Sequence, residues 1–487
     1  MLHYLKEEAD YGLTENGAVT LRSSGTHCLD LFFRAGAMRN ADEHEIRDAV
    51  TQAYIENPLK ALKLIFFARD IRGGLGERRF FRIALDCVND LAPAAVKRNM
   101  HLIPEYGRWD DLLVLLNSSL ENEASELIRS QLAADNAAMA AGEVVSLLGK
   151  WLPSINASSE KTRAYAAKLA GKLGMTKAEY RKTLSALRAY IDIVENHLRE
   201  SDYSFDYSKQ PSRAMLKYRK AFYENDRERY MTFIGNVNSG GQTLNAGTLY
   251  PYDIVRSCLG VVGEEEKAVL NATWRSLPSF GNNDENALAV IDGSGSMTWA
   301  ANGNIRPLDV ALSLGIYFAE HNKGGFANHF ITFSQRPQLV EIKGDDIFEK
   351  VRYCSSYNEC ANTDLEAVFL LLLNTARKNH LPQKDMPSKL FIISDMEFDY
   401  CVIGGNSGTL YHEMKKLFRD NGYSLPQVVF WNVNSRSKNI PVSMKESGAA
   451  LVSGASPAIF DMVASGEISP EKIMERVLNS ERYAAVK

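Results

Sequence analysis

From Ala41 to Leu198 the apolar positions recur at helical spacing. In residues 44–57, Ile46, Val50 and Tyr54 fall three to four apart and predict one apolar helix face. Pro58 suits the first turn of a second helix over 59–72, which Gly73 and Gly74 stop. Further helices are predicted over 77–88, 93–103, 110–116, 124–141, 161–173 and 176–198. Thr176 and Glu179 have capping-box spacing at the start of the last. Short connections between such helices predict an array of helical hairpins. No sequence repeat fixes its form. Residues 236–252 are rich in Asn, Gly and Thr and read as a surface loop between two domains.

Near Asn286 the period changes. Residues 287–291 form a short apolar run suited to a buried parallel strand. Further strands are predicted over 326–333, 338–342, 389–394, 427–433 and 449–452. Helices over 307–321, 346–353, 364–379, 410–420, 456–464 and 470–480 fall between or after them. This alternation predicts a doubly wound, Rossmann-like α/β domain. The chain of 487 residues therefore divides into an all-α domain over 1–284, including a linker from about 236, and an α/β domain over 285–487.

Composition adds limits. No run approaches twenty apolar residues, which argues against a membrane span. The acidic start after Met1 lacks the apolar stretch of a signal peptide, so a cytoplasmic location is expected. The six cysteines are sparse and irregularly spaced, which suits buried thiols better than a redox pair or zinc site. A net charge of −4 argues against nucleic-acid binding by the whole surface. Between Glu160 and Tyr230, however, sixteen Lys/Arg meet ten Asp/Glu, a local +6 that leaves −10 for the rest. A localised anion-binding face and an ordinary solvated helix surface both give that asymmetry.

The sharpest chemical signal follows the first α/β strand, where Asp292, Ser294 and Ser296 alternate with glycines. In such sheets ligands sit at the carboxyl ends of strands. Asn362-Thr363-Asp364 opens a helix and Ile393-Ser394-Asp395 ends another strand at comparable positions. Carboxylates and hydroxyls are hard oxygen ligands suited to Mg²⁺, or to a similar divalent cation such as Mn²⁺. The glycines are expected to let the loop turn sharply around the ion. Asp399, just past the strand, and Glu397 offer extra carboxylates, but both are read rather as solvated acids at a strand end. No nucleophile backed by a base is visible, and P-loop, HExxH and GxSxG patterns are absent. An enzyme is not expected.

This arrangement resembles the metal-ion-dependent adhesion site of von Willebrand factor A (vWA) domains, with Asp292, Ser294, Ser296, Thr363 and Asp395 at its five positions. The resemblance implies an ion that grips an acidic residue of a protein partner. A helical region followed by such a domain resembles the Ro ribonucleoproteins, whose TROVE module is a ring of HEAT-like helical hairpins. The strings carrying this likeness are 67–74 (FARDIRGG), 106–113 (YGRWDDLL) and 180–188 (YRKTLSALR). They look closer still to a TROVE-like family of plant and bacterial proteins of uncharacterised function, to which 245–254 (NAGTLYPYDI) also conforms. The Ro likeness implies small noncoding or single-stranded RNA as a partner. It makes Lys161, Arg163, Lys168, Lys172, Lys177, Arg181, Lys182 and Arg188 candidate phosphate contacts, with Tyr165, Tyr180 or Tyr190 available to stack on bases.

Overall fold

A computed structural model describes residues 10–280, 285–299, 305–334, 336–357, 363–399, 409–464 and 468–487. The N-terminal part is helical and the C-terminal part is a mixed-sheet domain. Helices Glu43–Glu56, Pro58–Arg69 and Arg78–Leu91 follow one another with short turns. Asp42 caps the first by accepting from His44 N, and Asn57 caps the second ahead of Pro58. Such caps satisfy amides that the first turn leaves open.

A buried ion network locks these helices to the next segment. Asp111 is fully buried and accepts from Arg69 Nε at 2.8 Å, Arg82 Nε at 2.7 Å and its neighbour Arg108 N at 3.0 Å. Phe66 meets Tyr106 edge-on beside it. Gly74 lies so near the preceding helix that a Cβ would stand 2.0 Å from Phe67 O. The first two signature strings are thus packing motifs that meet each other. The other two also serve the scaffold: Tyr180 donates to Pro153 O, and Tyr250 donates to Leu75 O.

Several boundaries differ from the sequence expectation. Residues 109–117 form a 3₁₀ helix rather than an α-helix. The helix expected over 176–198 breaks into Lys177–Tyr190 and Val194–Glu200 around Asp192, whose φ is 56°. Helices Ser212–Asn225, Arg227–Asn238, Pro251–Cys258 and Glu264–Arg275 were not expected at all. The segment read as a surface loop therefore holds helix at both ends. Its middle is not superficial either, because Leu244, Ala246 and Leu249 are buried.

The N-terminal part also contains a hairpin, β1 (Tyr11–Leu13) and β2 (Val19–Leu21), paired antiparallel. The C-terminal sheet comprises β3 (Ala287–Asp292), β4 (His329–Phe333), β5 (Leu339–Glu341), β6 (Lys389–Ser394), β7 (Gln427–Asn432) and β8 (Ala449–Ser453). Their order is β5-β4-β3-β6-β7-β8. All neighbours run parallel except β4 and β5.

Both faces are covered. Phe318 of helix Pro307–His321 packs on Phe391, and Phe460 packs on Phe391 and Trp431. Across the sheet, Tyr411 and Phe398 meet Phe430. Continuously buried β3 and β6 explain their unbroken apolar sequences. Gly315 lets its helix close onto β3, where a Cβ would lie 2.2 Å from Ile291 Cδ1.

The hairpin joins this sheet domain from far away in the sequence. Leu21 bridges Ile440 and Gly17 bridges Asp399. Helix His27–Ala35 rests on β8, with Gly36 N donating to Ser453 Oγ. At the other end of the chain, Arg482 pairs with the buried Asp70 at 2.7 Å. Among the described residues, no helix is long and apolar enough to cross a membrane.

Candidate metal centre

Strand order changes direction between β3 and β6, and ligand sites of open α/β sheets lie at the carboxyl side of such a switch. Asp292 ends β3 and Asp395 follows β6 on the adjacent strand. Asp292 is completely buried, and Asp395, Ser294 and Thr363 are nearly so. Asp292 accepts from Ser394 Oγ at 2.6 Å and from Ser294 N at 2.9 Å. Ser294 and Ser296 share a hydrogen bond of 3.0 Å, and Ser296 in turn bonds Asp395. Thr363 joins through Asp399, donating to its Oδ1 at 3.3 Å. Asp292, Ser294, Ser296 and Asp395 therefore lie together, and Thr363 is tied to Asp399, whose charge Asp292 feels, while Asn362 lies outside the described residues.

The electrostatics are those of a site short of positive charge. Burial raises the pKa of Asp292. Burial, and then the neighbouring charge of Asp292, push Asp395 up to about 7. Asp395 Oδ2 is buried and has no hydrogen-bond partner among the described residues. Its nearest cation, Arg436, stops 3.9 Å away. Buried polar atoms are rarely left alone, because each costs the free energy of its lost hydration. An all-oxygen set with an orphaned carboxylate oxygen fits Mg²⁺ or Mn²⁺. Met396, next to Asp395, is buried at φ 67°, a left-handed conformation uncommon for a long side chain. Packing holds it there, and such strain gathers at functional sites.

Two expectations change. Neither Gly293 nor Gly295 adopts positive φ, so the loop turns without using the freedom expected of its glycines. Glu397 is not solvated but buried. Its carboxylate accepts from Glu15 N at 2.8 Å, Asn439 Nδ2 at 3.0 Å and Ser437 Oγ. Asp399 is half-buried and, rather than facing water alone, receives the Thr363 hydroxyl.

The eight basic candidates are not equivalent. Arg188 donates to Gly149 O, Leu152 O and Ser154 Oγ, and Arg163 donates to Ala157 O and Ser158 O. Lys168 and Lys172 both pair with Glu121. Lys161, Lys177, Arg181 and Lys182 are exposed and form no ion pair among the described residues. Tyr180 is a core residue, Tyr165 packs against the core, and the Tyr190 hydroxyl donates to Glu143 O. Cys28, Cys87, Cys258 and Cys354 are buried free thiols, whereas Cys360 and Cys401 lie outside the described residues.

The family described as domain of unknown function DUF2828 matches residues 14–136 and 123–279, together more than half of the chain. The chain belongs to that family. A second family, domain of unknown function DUF7788, matches residues 286–484. This DUF2828 member is 26% identical over 518 aligned positions to an uncharacterized protein of Acanthamoeba polyphaga mimivirus, covering 96% of this chain and 87% of that one. The crystal structure of the Deinococcus radiodurans Ro (RSR) protein aligns with 93% of this chain and 95% of its own at 12% identity. Its TM-score of 0.35 is too low to transfer any property.

Proposed function

We propose that this DUF2828 protein is a non-catalytic scaffold whose C-terminal domain is of the vWA type and holds Mg²⁺ to grip an acidic group of a partner. The observation that carries the reading is the orphaned Asp395 Oδ2, in a buried carboxyl that feels the charge of Asp292 and bonds the Ser296 hydroxyl. Asp292 and Asp395 would balance the ion's charge, with Ser294, Ser296 and Thr363 as neutral donors, directly or through water. When bound, the ion supplies a positive centre with room for one further oxygen. An incoming carboxylate suits that centre better than a neutral group does. Trp299, 79% exposed immediately beyond the loop, offers an apolar contact next to it. Exposed aromatic anchors of this kind are typical of protein-partner sites.

The test is a panel of immobilised Asp- and Glu-containing peptides probed with the full chain in Mg²⁺ and in EDTA. Capture that needs Mg²⁺ and is lost in Asp292→Ala supports the reading. Equal capture in EDTA sinks it.

A second activity, RNA binding by the helical part, is favoured by Lys161, Lys177, Arg181 and Lys182, whose charges are not spent internally. Affinity for single-stranded RNA should then fall steeply with salt, and the slope should shrink when these four become Glu. An unchanged slope would remove the RNA role and leave a protein-only adaptor.

A further inference from the structure

The hairpin tip is built into the supports of the candidate metal centre. Thr14 Oγ1 donates to Phe398 O at 2.6 Å, and Glu15 N to Glu397 Oε2 at 2.8 Å. Asn16 Nδ2 donates to Glu397 O at 2.8 Å and to Thr363 Oγ1 at 2.9 Å. A hydroxyl oxygen has one proton and two lone pairs. Thr363 spends its proton on Asp399 and one lone pair on Asn16. One lone pair is left for a cation. Glu15 contributes separately, because its carboxylate holds Arg436 at 2.9 Å while the guanidinium stands 3.9 Å from Asp395 Oδ2. Without Glu15, that guanidinium has Asp395 as its nearest acid and competes for the oxygen the cation needs.

We infer that the N-terminal hairpin regulates the cation site of the proposed function: Asn16 positions Thr363, Glu15 diverts Arg436, and hairpin docking and metal binding strengthen each other. The inference rests on that cation reading. It makes a segment far away in sequence part of the metal centre, so anything that lifts the hairpin lowers metal affinity. By linkage, metal must also tighten the hairpin to the same degree.

Mn²⁺ serves as the probe on the full chain, with affinity and EPR spectrum measured for wild type, Asn16→Ala, Glu15→Gln and Thr363→Ala. Thr20→Val is the structural control. It removes the hairpin hydrogen bond from Thr20 Oγ1 to Ile440 O, away from the cluster. Loss of a group that orients a metal ligand weakens binding by about tenfold or more, and that loss is expected for Asn16→Ala. Its bound-Mn²⁺ spectrum should move toward that of Thr363→Ala, with metal-free melting in EDTA unchanged. Glu15→Gln should weaken binding severalfold and Thr20→Val hardly at all. Hydrogen exchange gives the reciprocal reading: Mg²⁺ should slow the amides of residues 14–18 in wild type and not in Thr363→Ala. Wild-type affinity and spectrum in Asn16→Ala, or equal losses in Asn16→Ala and Thr20→Val, would overturn the inference while the cation reading stands. Absence of Mn²⁺ binding by wild type would overturn both.

Discussion

Replacing Asp395 by Asn isolates the electrostatic cost that the fold carries at the sheet edge. The carboxyl is buried beside Asp292, and these two effects raise its pKa from 3.8 to about 7. An acid with a raised folded pKa contributes no penalty below its unfolded value. Stability is then lost as pH climbs from the unfolded value to the folded one, above which the loss is complete. At about 1.4 kcal/mol per unit, the metal-free protein at pH 8 carries a penalty near 4 kcal/mol. Asn removes the charge but buries an amide, so Asp395→Asn should gain roughly 2–4 kcal/mol in EDTA at pH 8 and little at pH 5. Mg²⁺ should close most or all of that gap, stabilising wild type by about 2.7 kcal/mol at a hundred times its Kd and the variant hardly at all. Urea denaturation at both pH values, with EDTA or Mg²⁺, gives all the differences. If the variant is the less stable protein in EDTA at pH 8, the charge reasoning is wrong.

Other consequences are open to direct measurement. Mg²⁺ affinity should fall by about tenfold for each unit below pH 7, because binding must displace the Asp395 proton. Titration calorimetry at pH 5.5 to 8 reads this, and a flat profile contradicts it. Asp111→Ala leaves Arg69 buried without its acid and should cost about 3–5 kcal/mol in chemical denaturation. Gly36→Ala places a Cβ 2.6 Å from Gly454 Cα and should destabilise the contact between helix His27–Ala35 and β8 by about 1–3 kcal/mol. Thr176→Ala removes a capping box whose two hydrogen bonds are present, a loss of about 1 kcal/mol in thermal melting.

What the sequence revealed depended on how local the signal was. The strands Ala287–Asp292 and Lys389–Ser394 are buried on both faces, so their apolar runs stood out. Asp292 and Asp395 stood out with them, because the ends of these neighbouring parallel strands lie side by side. The capping box at Thr176 was legible because both partners lie within one turn. By contrast, Glu264–Arg275 opens with three glutamates and buries only one face, and the helix was masked by its charge. The segments Tyr11–Leu13 and Val19–Leu21 are three residues each, too short to show alternation. Asn16 meets Thr363 across 347 residues, a contact that no spacing rule in one sequence can supply. Glu397 looked solvated because acids at strand ends usually are, and the hairpin that covers it was invisible.

Crystals grown with Mn²⁺ and measured at the manganese absorption edge should show a single strong anomalous peak among the Asp292, Ser294, Ser296, Thr363 and Asp395 oxygens, held by them directly or through water. A fully resolved cluster without such a peak, with Arg436 or solvent against Asp395 Oδ2 instead, would contradict the account.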